Sequence, residues 1–451
     1  MMELLTIIII QLSLVIVGFL LALTFGIKKK LEVWGLSYLL GSGLISILFF
    51  VTHWLLGWKL NQVNFIVCIL VSVLSLFAVV SFKKQTKLFE QLLHFNIAGF
   101  WNKLEQIEKM LFGAVCVFFC YSLFINYFTP MTDWDALAFY DFRAKIMVLR
   151  GNMVEGANLT YFFQYPPYTT FLHVFGYLFN AQHVKIAYSL IYGSFLMTFF
   201  SLLRSRQDRS VALIAVFLLA SFPSVLEHAI TAYSNLAFTV FYALGIIYLW
   251  YNVRFQDRKD LLVGATLVGL STWVRSTEPF WLVAAFLIIW AFLKNRRYLF
   301  SSLLSLAWLS LPNTLWRKFI NDLNLTASVT IIDTETHTTS AIRTFFELQT
   351  GFNGWLVHFW QTSAYLVKVL LPEFLFLSLL WFLASKAFMK KWNLELVTLF
   401  LLSSIVWGGT FIFSFTFETW NKIDGSIVRM CMAFIPLLIY STVENLSYEK
   451  K

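Results

Sequence analysis

Runs of roughly 18 or more mostly apolar residues recur from one end of this chain to the other, and no other feature limits its fold as strongly. Each run can cross a hydrocarbon core of about 30 Å as a helix, which satisfies its own backbone hydrogen bonds where no water can. The pattern predicts spans near 4–26, 32–56, 62–82, 110–128, 184–203, 211–227, 232–251, 261–275, 279–294, 298–315, 364–385, 394–416 and 428–444. The fold class expected is therefore an all-α polytopic membrane protein of about 13 transmembrane helices. The first span lacks a basic leader and a small-residue cleavage site, so it reads as a retained helix and not a signal peptide.

Cations give the expected orientation. Placing the Lys28–Lys30 run inside and alternating from there puts 22 of the 34 Lys and Arg residues on the inner side. They include Lys83/Lys84/Lys87, Arg204/Arg206/Arg209, Arg254/Arg258/Lys259, Lys294/Arg296/Arg297 and Lys386/Lys390/Lys391. This satisfies the positive-inside rule with the amino terminus outside and the carboxyl terminus in the cytoplasm. Segments 129–183, 316–363 and 417–427 then emerge on the outer face. The net charge of +10 is accounted for by stop-transfer and anionic-lipid contacts, without a nucleic-acid partner.

The four cysteines (Cys68, Cys116, Cys120, Cys431) all lie in apolar runs, which argues for packing and against a disulfide framework or CxxC metal site. Seven scattered histidines show no HExxH-like pair, so no zinc site is expected. The inner segment 83–109 mixes Lys and Glu with Phe, Trp and Leu, which suits either an interfacial helix lying apolar side down or a simple connector.

Where the chain is otherwise apolar, Asp133, Asp135, Asp141, Arg143 and Lys145 crowd together just after the span ending near Phe128. Charges at a membrane helix mouth face water or a cavity holding something ionic. Phe139, Phe142, Ile146 and Met147 recur at helical spacing opposite Asp141, Arg143 and Lys145, predicting an amphipathic outer-face helix at 136–149 that Gly151 stops. Tyr165-Pro166-Pro167-Tyr168 fixes an extended turn before an apolar helix, Thr169 to Phe179. Asp133 and Asp135, two residues apart, suit a general base, a metal site or a clamp on a hydroxyl. The plainer alternative is a solvated helix start, where Asp caps the backbone and meets the helix dipole. Arg275 and Glu278 at an outer turn, and Arg429 at the head of the last span, fall at the same expected depth. Several cations with one or two carboxylates suit a phosphate-bearing lipid, since Arg and Lys hold phosphate oxygens while a carboxylate takes a proton. A structural Arg275–Glu278 pair is the competing reading.

Asp133-Trp134-Asp135 opening the first outer loop, a helix ending in Gly151, and Tyr165-Pro166-Pro167 together resemble the GT-C superfamily of membrane glycosyltransferases. That superfamily includes protein O-mannosyltransferases, aminoarabinose transferases of lipid A and oligosaccharyltransferase catalytic subunits. The segment from Gly269 to Pro279, and Arg429 followed by Pro436, are similar to the superfamily's small-residue helix and late Arg helix. The resemblance covers roughly 110–440, so residues 1–109 read as additional N-terminal helices and 110–451 as the catalytic module. One departure is Ser234-Asn235, where many members carry an acidic residue.

The resemblance implies transfer of a sugar from a polyprenyl-phosphate donor to a lipid, glycan or protein acceptor on the outer face of the membrane, and the Phe-, Ile- and Lys-rich composition suits a bacterial inner membrane. It implies Asp135 as base with Asp133 as helper or near-equal candidate, and Arg143, Lys145, Tyr165, Arg275, Glu278 and Arg429 as substrate-binding residues. No cofactor is required, and a divalent metal is left open. A lipid-linked donor also needs no nucleotide fingerprint, and the chain has no Walker motif or GxGxxG. Three rivals remain: a lipid or glycan transporter or flippase, a glycan ligase or polymerase using lipid-pyrophosphate donors, and a non-catalytic scaffold. A transporter would carry broken helices and internal repeats, whereas the prolines here fall mostly near predicted span ends.

Overall fold

The computed structural model describes residues 2–83, 97–153, 165–276, 279–323, 352–385, 394–415 and 424–448, with a few positions between 85 and 92. All regular structure among them is helical. The order is α1 (Met2–Thr24), α2 (Lys30–Leu56), α3 (Gln62–Phe82), a short α4 (Ile97–Asn102) and α5 (Gln106–Phe128). A π-helical turn (Ala136–Asp141) runs into α6 (Phe142–Arg150), followed by α7 (Tyr168–Tyr177), α8 (Ile186–Arg204), α9 (Arg209–Ser221) and α10 (Pro223–Ile230). Then come α11 (Ser234–Phe255), α12 (Arg258–Val274), α13 (Trp281–Lys294), α14 (Leu299–Asp322), α15 (Phe352–Ser385), α16 (Leu394–Phe413), α17 (Asp424–Cys431) and α18 (Phe434–Tyr448).

Every predicted span falls on a helix or on a bent pair of helices, but not every helix is long and apolar enough to cross. Among the described residues eight single helices qualify, and up to ten spans result if two bent pairs are each one crossing. The pairs are α9 with α10, bent by 61°, and Gly425–Cys431 with Phe434–Asn445, bent by 40°. The span predicted as continuous over 211–227 is thus broken. Pro223 cannot donate to Leu219, and Phe222 before it is extended (φ −65°, ψ 123°). The other three predicted spans fall short for separate reasons. α12 has 17 residues and opens on Arg258, Lys259 and Asp260, α13 has 14, and α14 is diluted by Ser301, Ser302, Ser305, Ser310, Pro312, Asn313 and Thr314 before it ends among Arg317, Lys318, Asn321 and Asp322.

α11 is apolar all round, and all of its span window is buried, which makes it the axis of the bundle. It packs against α12, α8 and α13. The N-terminal helices belong to the same core. α1 and α2 cross so closely that a Cβ on Gly18 would lie 1.7 Å from the Ser37 carbonyl oxygen, and one on Gly41 1.8 Å from that of Leu14. Small residues let two backbones approach where lipid gives no hydrophobic incentive to pack. α2 then docks on α8, its buried serines bonding their own preceding turns (Ser37 Oγ to Val33 O, 2.6 Å) and two of them reaching across. Trp273 Nε1 donates to Ser46 Oγ (2.9 Å), and Ser42 Oγ lies 3.0 Å from Tyr168 Oη.

Charged groups collect at the two ends. One end carries the Glu108–Arg209 pair (2.9 Å), Tyr248 donating to Glu32 (2.8 Å), and Arg254 between Glu395 and Glu444. The opposite end gathers the end of α5, the π-turn and α6, the starts of α7, α8 and α11, the end of α12, and α17. In the inner segment 83–109, expected as an interfacial helix or a connector, the described residues include the short α4, and Leu92 and Phe89 pack on the bundle core. Most of the outer segments 316–363 and 417–427 lies outside the described residues.

Candidate functional site

Pro130 ends α5: Thr129 before it is extended (φ −104°, ψ 137°), and its hydroxyl turns back to the Ile125 carbonyl (2.6 Å). Met131 packs with Ala136, Tyr188 and Ala232, folding the chain back over the end of the bundle. Asp133 starts the next turn, its carbonyl accepting from Leu137 N (3.0 Å). The backbone then winds as a π-turn, Phe142 N reaching Leu137 O, five residues back. Gly151, in the left-handed region (φ 65°), closes α6 as expected.

The π-turn changes which face is buried. Asp141 and Arg143, predicted to face water, are 3 % and 2 % exposed, while Phe142 is 48 % exposed and Leu149 83 %. One extra residue per turn rotates the following helix by about 100° relative to an ideal α-helix, so the apolar stripe read from the sequence lands partly outside. The buried charges take partners within the bundle. Asp141 accepts from the Tyr177 hydroxyl, lies 2.7 Å from Lys145 Nζ, and sits 3.4 Å from His173 Nδ1. His173 Nε2 is 3.0 Å from Tyr188 Oη, whose hydrogen goes to the Ala232 carbonyl (3.1 Å). Burial pushes the Asp141 carboxyl up, but His173, Lys145 and Tyr177 outweigh it and hold the group well below the usual carboxylate range. Arg143 Nη1 donates to the Tyr165 carbonyl (2.8 Å), with its guanidinium 5.5 Å from the Trp316 ring. Burial pulls it down to about 9, still cationic at neutral pH.

In front of this layer lie the groups able to meet a ligand. Arg429 Nη1 donates to Asp135 Oδ2 (2.8 Å), the two side chains being 29 % and 33 % exposed. The same guanidinium donates to Gly425 O (3.2 Å) and Ser426 Oγ (3.3 Å) of its own helix and lies 5.4 Å from the Tyr233 ring. Burial, then the carboxylates Asp135 and Asp133, push the Tyr233 hydroxyl up. Arg275, at the end of α12, lies 5.2 Å from the Tyr165 ring. Tyr140 joins the two halves: it donates to Ser234 Oγ (2.7 Å), its ring is 6.4 Å from that of Tyr165, and its hydroxyl feels the charges of both Arg275 and Asp135.

The structure brings Asp135, Arg429, Arg275 and Tyr165 to one end, with Asp133 beside them. Arg143 is buried against Tyr165, and Lys145, with about half of its side chain exposed, reaches Asp141. Glu278 lies outside the described residues, so the Arg275–Glu278 pairing does too. Sequence reasoning missed Tyr140, Tyr233, Lys185, His173 and His228. Lys185, 6 % exposed, reaches Thr129 Oγ1 (3.2 Å) and the carbonyl of Pro130 (3.4 Å); burial pulls its ammonium down and Asp133 counters. A single lysine heading an otherwise apolar span was the available signal. His228, with Nδ1 2.8 Å from Ser224 O and its ring 6.0 Å from Tyr233, sits within the field of Arg275 and Arg429. Only the break after α9 brings it there, and that break is a tertiary feature. Among the described residues no group of three or more His, Cys, Asp or Glu is arranged to hold a metal ion.

Chemically, the arrangement offers a carboxylate able to take a proton, two guanidiniums suited to phosphate oxygens, and aromatic rings that fix those guanidiniums in place. No family model matches the chain, and neither the curated proteins nor the solved structures contain a match.

Proposed function

We propose that this protein is a glycosyltransferase that moves a sugar from a polyprenyl-phosphate donor to an acceptor on the outer face of a bacterial inner membrane. The reading rests on one observation: Asp135 and Arg429 in contact at 2.8 Å, at the same end of an apolar bundle as Arg275 and Tyr165. The resemblance of 110–440 to GT-C enzymes adds to it. In this reading all thirteen sequence spans cross the membrane, α12, α13 and α14 among them, with the amino terminus outside.

Asp135 accepts the proton of the acceptor hydroxyl as that oxygen bonds to the anomeric carbon. The bond from that carbon to the lipid phosphate oxygen breaks, and the electron pair leaves on the phosphate. Arg429 and Arg275 stabilise the departing anion. Asp133 assists from the preceding turn. Arg143 and Lys145, named as substrate contacts by the resemblance, act here by holding Tyr165 and Asp141.

One observation favours a second reading, a lipid or glycan transporter. The 61° break at Pro223 and the 40° bend before Phe434 resemble the discontinuous helices of transporters. Proteoliposomes loaded with polyprenyl-phosphate-linked sugars separate the two. The enzyme reading expects sugar transfer to an added acceptor, with Asp135→Asn lowering it about 10²-fold. Lipid translocation without transfer, unaffected by Asp135→Asn, would establish the transporter.

A further inference from the structure

Resting on the donor proposed above, the geometry points to a competition that regulates the site: Asp135 and the donor's phosphate bind the same guanidinium, Arg429, so the lipid phosphate displaces Asp135 from it on binding. The contact is single-pronged. Only Oδ2 of Asp135 accepts from Arg429, through Nη1, while Nε and Nη2 are turned to Gly425 O and Ser426 Oγ at 3.2 and 3.3 Å. While that oxygen accepts from Arg429, the Nη1 donor is not available to a phosphate oxygen. The donor's phosphodiester carries one negative charge, as a carboxylate does, and its two non-bridging oxygens match the planar fork of Arg with two parallel hydrogen bonds. Both partners are about a third exposed, so exchange requires no buried charge to be stranded.

The surroundings let Arg429 change partners without leaving. Tyr233 lies 5.4 Å from its guanidinium and stays in place on the short link between α10 and α11. Ser426 and Gly425 are on the arginine's own helix, so those contacts travel with it. Asp135, for its part, sits at the head of the π-turn, whose backbone is held by Leu137 N on Asp133 O and by the buried Asp141 network. Once released, its carboxylate stays beside the phosphate. Donor binding thus frees Asp135 beside the group that leaves.

The test is the affinity of the purified full-length protein in nanodiscs for sugar-free polyprenyl phosphate, followed by tryptophan fluorescence. Competition makes an unusual demand: Asp135→Asn, which lowers transfer, should tighten phosphate binding by about two- to fivefold, the range of a partly exposed ion pair. Arg429→Gln should weaken it by about tenfold. The gain from Asp135→Asn should vanish in the Arg429→Gln background, and Asp133→Asn, which removes equal charge without touching Arg429, should give no gain. A gain that persists without Arg429, or that Asp133→Asn reproduces, reflects general charge repulsion and overturns the competition. Tight binding by wild type with no gain in Asp135→Asn overturns it too, while leaving the donor reading intact. Binding seen only in Asp135→Asn, and lost with Arg429→Gln, upholds the competition. No binding by either wild type or Asp135→Asn overturns both proposals. Each variant's thermal transition, compared with wild type, shows that it has folded.

Discussion

Arg143 and Tyr165 are held together by a hydrogen bond of 2.8 Å from the guanidinium to the backbone carbonyl, and the Tyr165 ring in turn faces Arg275. A buried arginine thus sets the position of a half-buried one, although the two are 132 residues apart in sequence.

Removing Arg143 therefore tests scaffold against ligand contact. Arg143→Ala leaves the Tyr165 carbonyl without that donor and opens space beside Trp316, so a loss of about 2–4 kcal/mol is expected, read as a lower thermal transition in detergent. Arg143→Lys should recover only part of it, because an ammonium lacks the planar fork. A stable Arg143→Ala protein with weakened donor binding would move Arg143 back among the substrate contacts.

Asp141 makes a prediction about acid. Its folded carboxyl is held below the ordinary value of about 3.9, so its contribution is fully present above that value and is lost as pH falls through the lowered one. Asp141→Asn should consequently lower the thermal transition most near neutrality. The gap from wild type should close as pH drops below about 4. A constant gap from pH 7 to pH 3 would show that shape, and not charge, holds this network.

Gly18 lets α1 and α2 cross. Gly18→Ala places a methyl against the Ser37 carbonyl and should force the helices apart, at a cost of about 1–3 kcal/mol. Gly113→Ala, at a position with nothing within 4 Å, is the control and should leave stability unchanged. Equal thermal transitions for the two variants would contradict the close crossing.

Sidedness is open to chemical labelling. With Cys68, Cys116, Cys120 and Cys431 replaced, a cysteine at position 156 should react with an impermeant thiol reagent added outside intact cells, and one at position 256 should react only after lysis. The reverse pattern would invert the bundle and place Asp135 and Arg429 in the cytoplasm.

Helix content was legible because lipid leaves the backbone few choices, and runs such as 232–251 and 394–416 declare themselves by apolarity alone. The number of crossings was less so. α12 is buried by packing on α11 and α14, and such a helix needs less apolar surface than one facing lipid. Asp135, Arg275 and Arg429 could be picked out because charge is rare in this chain. Tyr140, Tyr233 and His228 could not, since aromatic residues are everywhere in it and only tertiary placement sets these three apart. The inward turn of Asp141 and Arg143 was hidden for a different reason: a periodicity of 3.6 was assumed through a segment that winds more slowly.

That slower winding bears on how the protein tolerates insertion and deletion. A π-turn is an α-helix carrying one residue more than its hydrogen-bonding ladder requires, so deleting Ala138 should let 134–150 close up as an ordinary α-helix with its backbone bonds intact. The two carboxylates ahead of the turn would then be offset by about 100° from the anchored Asp141 behind it. The deletion should leave thermal stability near wild type while uncoupling Asp135 from Arg429, and the same purified sample can be assayed for both.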